Sequence, residues 1–428
     1  MRAAWRLLTG HRDLRLVLLA ALVSRAGDWI LITGLLYHVY VLTGSTVASA
    51  LTMLSSFLPQ VLLGPIAGVF ADRWDRKLTM ILADLLLAAG LLPLLAVHGR
   101  SQVWIVFAVL IWEGTIEQFF SPAQLAMIPR LVPREQLIAA NALNGQVSDV
   151  ARLAGSALGG IIIATGGIIG VTLADAASFL ASAALLTLTC TTGTVQRDEL
   201  AQRSGRLAAI GRDLADGLRL AARDGLLRAL MIFGLVTGVG EGVVATLAAP
   251  FVRHVLHGSS QAFGLLLAAQ AIGGIAGGAV AVGIAQRVPA ARLFSYGAIA
   301  LGVIDLATFL YPLGYVAVWP AVAGSAIAGL PVALTTAGLM TLLQQDTTDA
   351  FRGRVFGAFA ATQGIAMLAG TLTGGLAARP LGIIAVISVQ GAAYLAAGLV
   401  MTARLRSGPA GTGPFAQWQR AEDNRAAR

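Results

Sequence analysis

Charge is what this chain has least of. Of its 428 residues only 12% are Asp, Glu, Lys or Arg, about half the share of a typical soluble domain. Too few polar groups remain to coat a particle of this size in water, so a water-soluble enzyme and a disordered chain are both excluded. Cysteine is nearly absent as well. Cys190 stands alone, which excludes an internal disulfide and any cysteine-based metal centre. There is no G-x-x-x-x-G-K-[ST] run, so ATP is not expected to drive the protein. A D-D-x-x-D run and an H-x-x-x-D pair inside an apolar segment are also missing, which argues against a membrane-embedded transferase. No cofactor and no enzymatic activity are expected.

What fills the chain is apolar. It is 57% hydrophobic, with 50 Gly and a mean hydropathy of +0.78. The first apolar run is too long for a signal-peptide core. A spanning helix takes about 20 mostly apolar residues, and twelve such runs can be traced: 14–42, 47–71, 78–97, 103–127, 137–165, 169–190, 226–256, 261–286, 291–312, 316–344, 351–379 and 382–404. They are continuous and not alternating, so they read as helices and not as barrel strands. The expected fold is an all-α integral membrane protein of twelve helices.

Net charge is +9, and its placement explains it. Of the 30 Lys and Arg, 25 lie at the N-terminus, in the even-numbered loops or in the tail. Arg100, Arg253 and Arg379 lie on the other side, and Arg25 and Arg152 lie inside runs. Positive loops stay inside, so the reading is a multi-pass protein of the cytoplasmic membrane with both termini cytoplasmic. The positive charge is then a cytoplasmic coat and not a nucleic-acid surface. The long loop 191–225 carries Leu207, Ile210, Leu214 and Leu218 at near-helical spacing among its charges, the pattern of an amphipathic surface helix. It divides the chain into a six-helix bundle, 1–190, and a second, 226–406. The tail 407–428 reads as disordered.

The halves repeat. A shift of 213 to 215 residues lays Asp28 on Glu241 and Gly64 on Gly278. It also lays Leu153-Ala154-Gly155-Ser156 on Leu368-Ala369-Gly370-Thr371. Two pseudo-symmetric six-helix bundles of this kind place a substrate path between the halves near the midplane.

Between runs two and three stands Gly68-Val69-Phe70-Ala71-Asp72-Arg73-Trp74-Asp75-Arg76-Lys77. It resembles the G-x-x-x-D-R-x-G-R-R/K loop of the major facilitator superfamily, with Asp75 in place of the second Gly. Run five carries Gly155-Ser156-Ala157-Leu158-Gly159-Gly160, similar to the exporters' G-P-x-x-G-G, with Ser156 in place of Pro. Small residues so spaced also let helices pack closely. With Ser24-Arg25-Ala26-Gly27-Asp28-Trp29 and Arg352-Gly353-Arg354, the pattern resembles the drug-efflux branch that includes macrolide, tetracycline and enterobactin exporters. The resemblance implies a major facilitator fold, efflux by alternating access, and a conformational latch of Gly68, Asp72, Arg73, Arg76 and Lys77. One departure stands out: the family's Arg in run four is absent, and Glu113 and Glu117 occupy that run.

A charge at a helix centre costs about 2.5–3.5 kcal/mol on the insertion scale, so each one needs a reason. Seven acids are singled out, Asp28, Glu113, Glu117, Asp149, Asp175, Glu241 and Asp305, against Arg25 and Arg152. Asp28 and Glu241 are central and repeat. Glu113 and Glu117 share a helix face, where burial and like charge favour sharing one proton. Asp28, Glu113, Glu117, Glu241, Asp149, Arg152 and Arg25 are the candidates for proton coupling and the substrate cavity; the alternative for two of the acids is a fixed ion pair, Asp28 with Arg25 and Asp149 with Arg152. Asp175, at the outer start of run six, and Asp305 read as packing residues. Trp29 and Tyr37 are expected in the cavity; Phe57, Trp112 and Phe119 more readily face lipid. The expectation is a monomeric proton-coupled antiporter, driven by the proton gradient, that exports amphiphilic small molecules or drugs, cationic ones among the candidates, in contact with membrane lipids. A lipid or lysolipid translocator of the same fold is the alternative.

Overall fold

The computed structural model describes residues 7, 9–71, 74–133, 136–191, 219–220, 222–284, 287–345 and 349–407. These are almost entirely helical, and no strand occurs among them. The long helices are α1 Arg12–Thr43, α2 Thr46–Ala71, α3 Arg76–Leu91, α4 Val103–Leu131, α5 Leu137–Thr187 and α6 Gly225–Pro250. They continue with α7 Ser260–Ile284, α8 Ala290–Leu310, α9 Trp319–Gln345, α10 Asp349–Leu381, the short α11 Ile383–Ile387 and α12 Val389–Ser407. In a bilayer core each must satisfy its own backbone, which is why apolar runs of this length become helices. Eleven helical segments are long and apolar enough to cross a membrane.

Runs five and six both fall on α5. Its 51 residues, at 1.5 Å each, far exceed a core about 30 Å thick. Gly167 breaks it with φ 58° and ψ −157°, a conformation that glycine adopts without steric cost. There the chain doubles back: a Cβ on Gly170 would lie 3.1 Å from Cγ2 of Ile162. Elsewhere helix ends are held locally. Asp75 caps α3 by accepting from the Leu78 N–H at 2.9 Å, which satisfies an otherwise orphan donor. Asp13 accepts from the Thr191 N–H at 2.7 Å and the Cys190 N–H at 3.0 Å, tying the end of one crossing to the start of α1.

Contacts divide the chain into two compact units. One comprises the described residues of Met1–Leu207 and Thr246–Ala271, the other those of Ala208–Ala245 and Ile272–Arg428. The segment 246–271, the adjoining ends of α6 and α7, therefore packs with the first unit. There Tyr37 donates to the Gly258 carbonyl at 2.9 Å and stacks on Phe263. Gly160 and Gly264 meet so closely that a Cβ on Gly264 would lie 2.4 Å from the Ser156 carbonyl oxygen.

Glycine contacts reproduce the sequence repeat inside each unit. In the first, Gly155 of α5 rests on the Ala26 carbonyl of α1, where a Cβ would come within 2.4 Å of the oxygen, and Gly159 rests on Ile30. In the second, a Cβ on Gly370 of α10 would come within 2.0 Å of the Val239 carbonyl oxygen of α6, and one on Gly374 within 3.1 Å of Val243. These are the partners that the register of the repeat assigns. Backbone approach of this kind is how helices associate where lipid supplies no hydrophobic drive.

Asp72 and Arg73 of the expected latch, residues 192–218 and 221 of the expected amphipathic segment, and the tail after Ser407 lie outside the described residues. Gly68 lies in α2. Arg76, which is buried, donates to the Ala126 carbonyl at 3.1 Å, and Lys77 to the carbonyls of Thr187 and Thr189 at 3.2 and 2.6 Å. Both cations thus hold carbonyls near the ends of α4 and α5, as the helix dipole favours.

The glycine contacts are testable. Gly155→Leu should lower the stability of the purified protein by about 1–3 kcal/mol through overpacking. Nothing lies within 4 Å of a Cβ on Gly145, so Gly145→Ala should leave stability unchanged or raise it by about 0.5–1 kcal/mol. Thermal unfolding in mild detergent reads both.

Candidate acid cavity

The first unit carries an open cavity of about 300 Å³ walled by α1, α2 and α4, in which Asp28 and Glu113 are half-buried. Asp28 and Trp29 line it from α1, Glu113 and Glu117 from α4, and Ser56 and Gln60 from α2. Behind that wall α5 contributes Asp175. Carboxylate oxygens of Asp28, Glu113 and Asp175 all lie within 4.8 Å of one another.

Gly27 makes this possible. A Cβ there would lie 2.0 Å from the Ser178 hydroxyl and 2.3 Å from Asp175 Oδ1, so only a residue without a side chain admits the α5 acid against α1. Asp175 is fully buried and accepts from Ser178 at 3.1 Å through Oδ1. Its Oδ2, like Glu113 Oε2, has no hydrogen-bond partner. Asp175 is therefore not peripheral. The turn at Gly167 sets it two helical turns inside the crossing, and the opposing helix brings it to Asp28.

Asp84 on α3 is a further member that the sequence reading leaves out, although an acid inside an apolar run is the same signal. It is fully buried and close enough to Asp28 and Glu117 to act on both electrostatically. It faces the Ser182 hydroxyl, yet neither its two oxygens nor that hydroxyl reaches hydrogen-bonding geometry.

Arg25 does not pair with Asp28. Its guanidinium donates to Ser148 at 2.6 Å and to Gln124 at 2.8 Å, and Gln124 donates on to Asn144 at 3.0 Å. These neutral partners tie α1 to α4 and α5. Among the cluster acids, Glu117 lies within reach of the Arg25 charge. Asp149 and Arg152 also do not pair: Asp149 is exposed and Arg152 half-buried, with no ion pair between them. An i, i+3 spacing permits such a contact without requiring it. Tyr37, expected in the cavity, is engaged by Gly258 and Phe263 instead.

The second unit treats its acids differently. Glu241 accepts from Tyr394 at 2.5 Å and from Gln363 at 3.2 Å. Asp305 accepts from Gln390 at 2.9 Å. Gly240 mirrors Gly27, since a Cβ on it would lie 2.8 Å from the Cα of Gln390. The repeated acid is thus hydrogen-bonded by neutral donors in one unit and crowded by other acids in the other.

Helices, repeat and buried acids together define a polytopic membrane transporter. The family model described as transmembrane secretion effector matches residues 8–424, and the chain belongs to this family of the major facilitator superfamily. It is 26% identical over 405 residues to the enterobactin exporter EntS of Citrobacter koseri, covering 92% of each chain. It is 38% identical over 117 residues to macrolide efflux protein A of Streptococcus pyogenes, covering 27% of this chain and 29% of that one. Among solved structures, a bacterial homologue of the iron transporter ferroportin in an inward-facing state shares the fold. The TM-score is 0.70 and the identity 17%, covering 91% of this chain and 98% of that one.

The Arg25 network gives a stability prediction. Arg25→Met leaves the fully buried Gln124 short of a charged donor, a loss of about 1.5–3 kcal/mol for a hydrogen bond to a charged group. A lowered unfolding midpoint in detergent is expected. An unchanged midpoint would show the network to be dispensable.

Proposed function

We propose that this transporter is a proton-coupled antiporter that exports amphiphilic, cationic small molecules across the cytoplasmic membrane, with both termini on the cytoplasmic side. The observation that carries the reading is the acid cavity. Asp28, Glu113 and Asp175 converge, with oxygens of Glu113 and Asp175 that no hydrogen bond satisfies, and Glu117 and Asp84 stand beside them. So many carboxylates cannot all stay ionised in a low-dielectric interior without compensation. Protons compensate them in one state and a cationic substrate in another, and competition for the same oxygens couples the two fluxes. Trp29 gives the cavity an apolar wall and a face for a cation. An inward proton gains about 2.3 kcal/mol per 100 mV, which is ample drive.

Alternating access would proceed by rocking 1–190 against 226–406. Glu241, held by Tyr394 and Gln363, is the acid of the second half that takes part. The efflux relatives support the direction of transport, and the unpaired acids support the charge of the cargo.

Inverted vesicles with an acidified lumen test this. A panel of lipophilic cations and macrolides is added while lumenal pH and uptake are followed. Cation uptake should raise lumenal pH, and Asp28→Asn, Glu113→Gln and Asp175→Asn should each abolish the coupling. Full proton-coupled uptake in all three variants would falsify the assignment.

A further inference from the structure

Outside the acid cavity each unit carries an exposed apolar groove, and the two occupy corresponding places in the repeat. In the first unit a cavity of about 630 Å³ runs over α3 and α4. Leu78, Leu82, Leu86 and Ile116 line it, beneath Trp74 stacked on Phe119 at 5.8 Å. In the second unit a cavity of about 590 Å³ runs over α8 and α9 against Gly273, Ala276 and Ile284 of α7, with Arg292, Tyr296, Ala300 and Leu330 among its walls. The register of the repeat carries Leu78 onto Arg292, Leu82 onto Tyr296, Leu86 onto Ala300 and Ile116 onto Leu330. Both volumes fall within the range of about 300–1,000 Å³ usual for ligand pockets.

The mouths differ in charge. Asp75 lines the first groove, and no acid lines the second among the described residues. There Arg292 stands exposed in the first turn of α8, with no side-chain hydrogen bond or ion pair among the described residues. Arg287 is exposed in the turn just before it. Tyr296, half-exposed one turn along, has the amphipathic ring that belongs at headgroup depth. An apolar trough topped by an unpaired guanidinium matches a molecule with a hydrocarbon chain and an anionic head. Basic pockets between helices on the cytoplasmic side take such headgroups, and a guanidinium suits phosphate geometry.

We propose that the α8–α9 groove binds an anionic phospholipid of the cytoplasmic leaflet, its acyl chain along Ala300 and Leu330 and its phosphate on Arg292. The proposal rests on the cytoplasmic orientation given above and is independent of proton coupling. The first groove, with Leu78 and Asp75 at its mouth, discriminates against the same headgroup.

Native mass spectrometry of the full-length protein in mild detergent tests it, using phosphatidylglycerol and phosphatidylcholine of matched chains. The wild type should retain phosphatidylglycerol over phosphatidylcholine. Arg292→Gln should reduce that retention about fivefold, the contribution of one basic residue at a lipid surface. Ala300→Trp, which fills the trough, should reduce binding of both lipids there. Leu78→Arg with Asp75→Asn, which keeps a capping side chain, should create a second phosphatidylglycerol site. Equal retention of the two lipids, or Arg292→Gln behaving as wild type, would overturn the proposal. Displacement by free glycerol phosphate would also overturn it, assigning the site to a soluble anion. Transport is not part of the readout, so loss of coupling in the vesicle assay leaves this test intact.

Discussion

Carboxylates gathered at one half-buried place without an ion-paired cation set the terms for the first unit. In water Asp28, Glu113 and Asp175 would repel one another weakly through a high dielectric. Inside a helical bundle the same charges cost several kcal/mol each unless something neutralises them. Arg25, the guanidinium at hand, directs its donors to Ser148 and Gln124. Arg25 is within electrostatic reach of Glu117, and on the proposed reading the charge that balances the other acids comes from outside the protein. A chain with few charges has gathered several of one sign in one place, where the proposed reading has protons or a cation balance them.

The repeat sharpens that point, because both halves begin from the same architecture. Gly27 and Gly240 each admit a polar residue from an opposing helix against an acid-bearing one. In the first unit the admitted group is Asp175, beside Asp28. In the second it is Gln390, which hydrogen-bonds Asp305, while Tyr394 and Gln363 satisfy Glu241. Asp175 against Gln390 is one of several exchanges at corresponding places, with Asp84 against Ala298 another, that separate a crowded acid cluster from one in which amide and hydroxyl donors reach the acids. The same glycine-on-carbonyl contacts hold α1 to α5 and α6 to α10, so the scaffold is shared and the electrostatics are not.

Much of the fold is legible in the sequence because the bilayer allows so few solutions. An apolar run of about 20 residues is a helix there, and among the described residues the runs read in sequence fall mainly on helices. The merging of runs five and six into α5 comes from a turn so short that Gly167 alone makes it. The site is legible in part. Asp28 and Glu113 stand out as acids amid apolar neighbours. Asp175 reads as peripheral because its run begins only a few residues earlier, and the packing of α5 on α1 is what shows where it points. Asp84 carries the same signal as the other acids, yet no spacing rule ties it to them. The partners of Arg25 lie about a hundred residues away on other helices, a distance that local spacing rules do not bridge. Tyr37 shows the converse: its position suggests the cavity, and the neighbouring Gly258 and Phe263 claim it.

The central claim is that protons and a cation exchange for the same oxygens of the acid cavity. The most direct measurement follows the proton released when tetraphenylphosphonium binds the purified protein in weakly buffered detergent, with a pH-sensitive dye. The account predicts release that accompanies binding and falls when Asp175 is replaced by Asn, with binding itself weakened as the medium is made more acidic. Saturable binding with no proton released, and an affinity indifferent to pH, would contradict it.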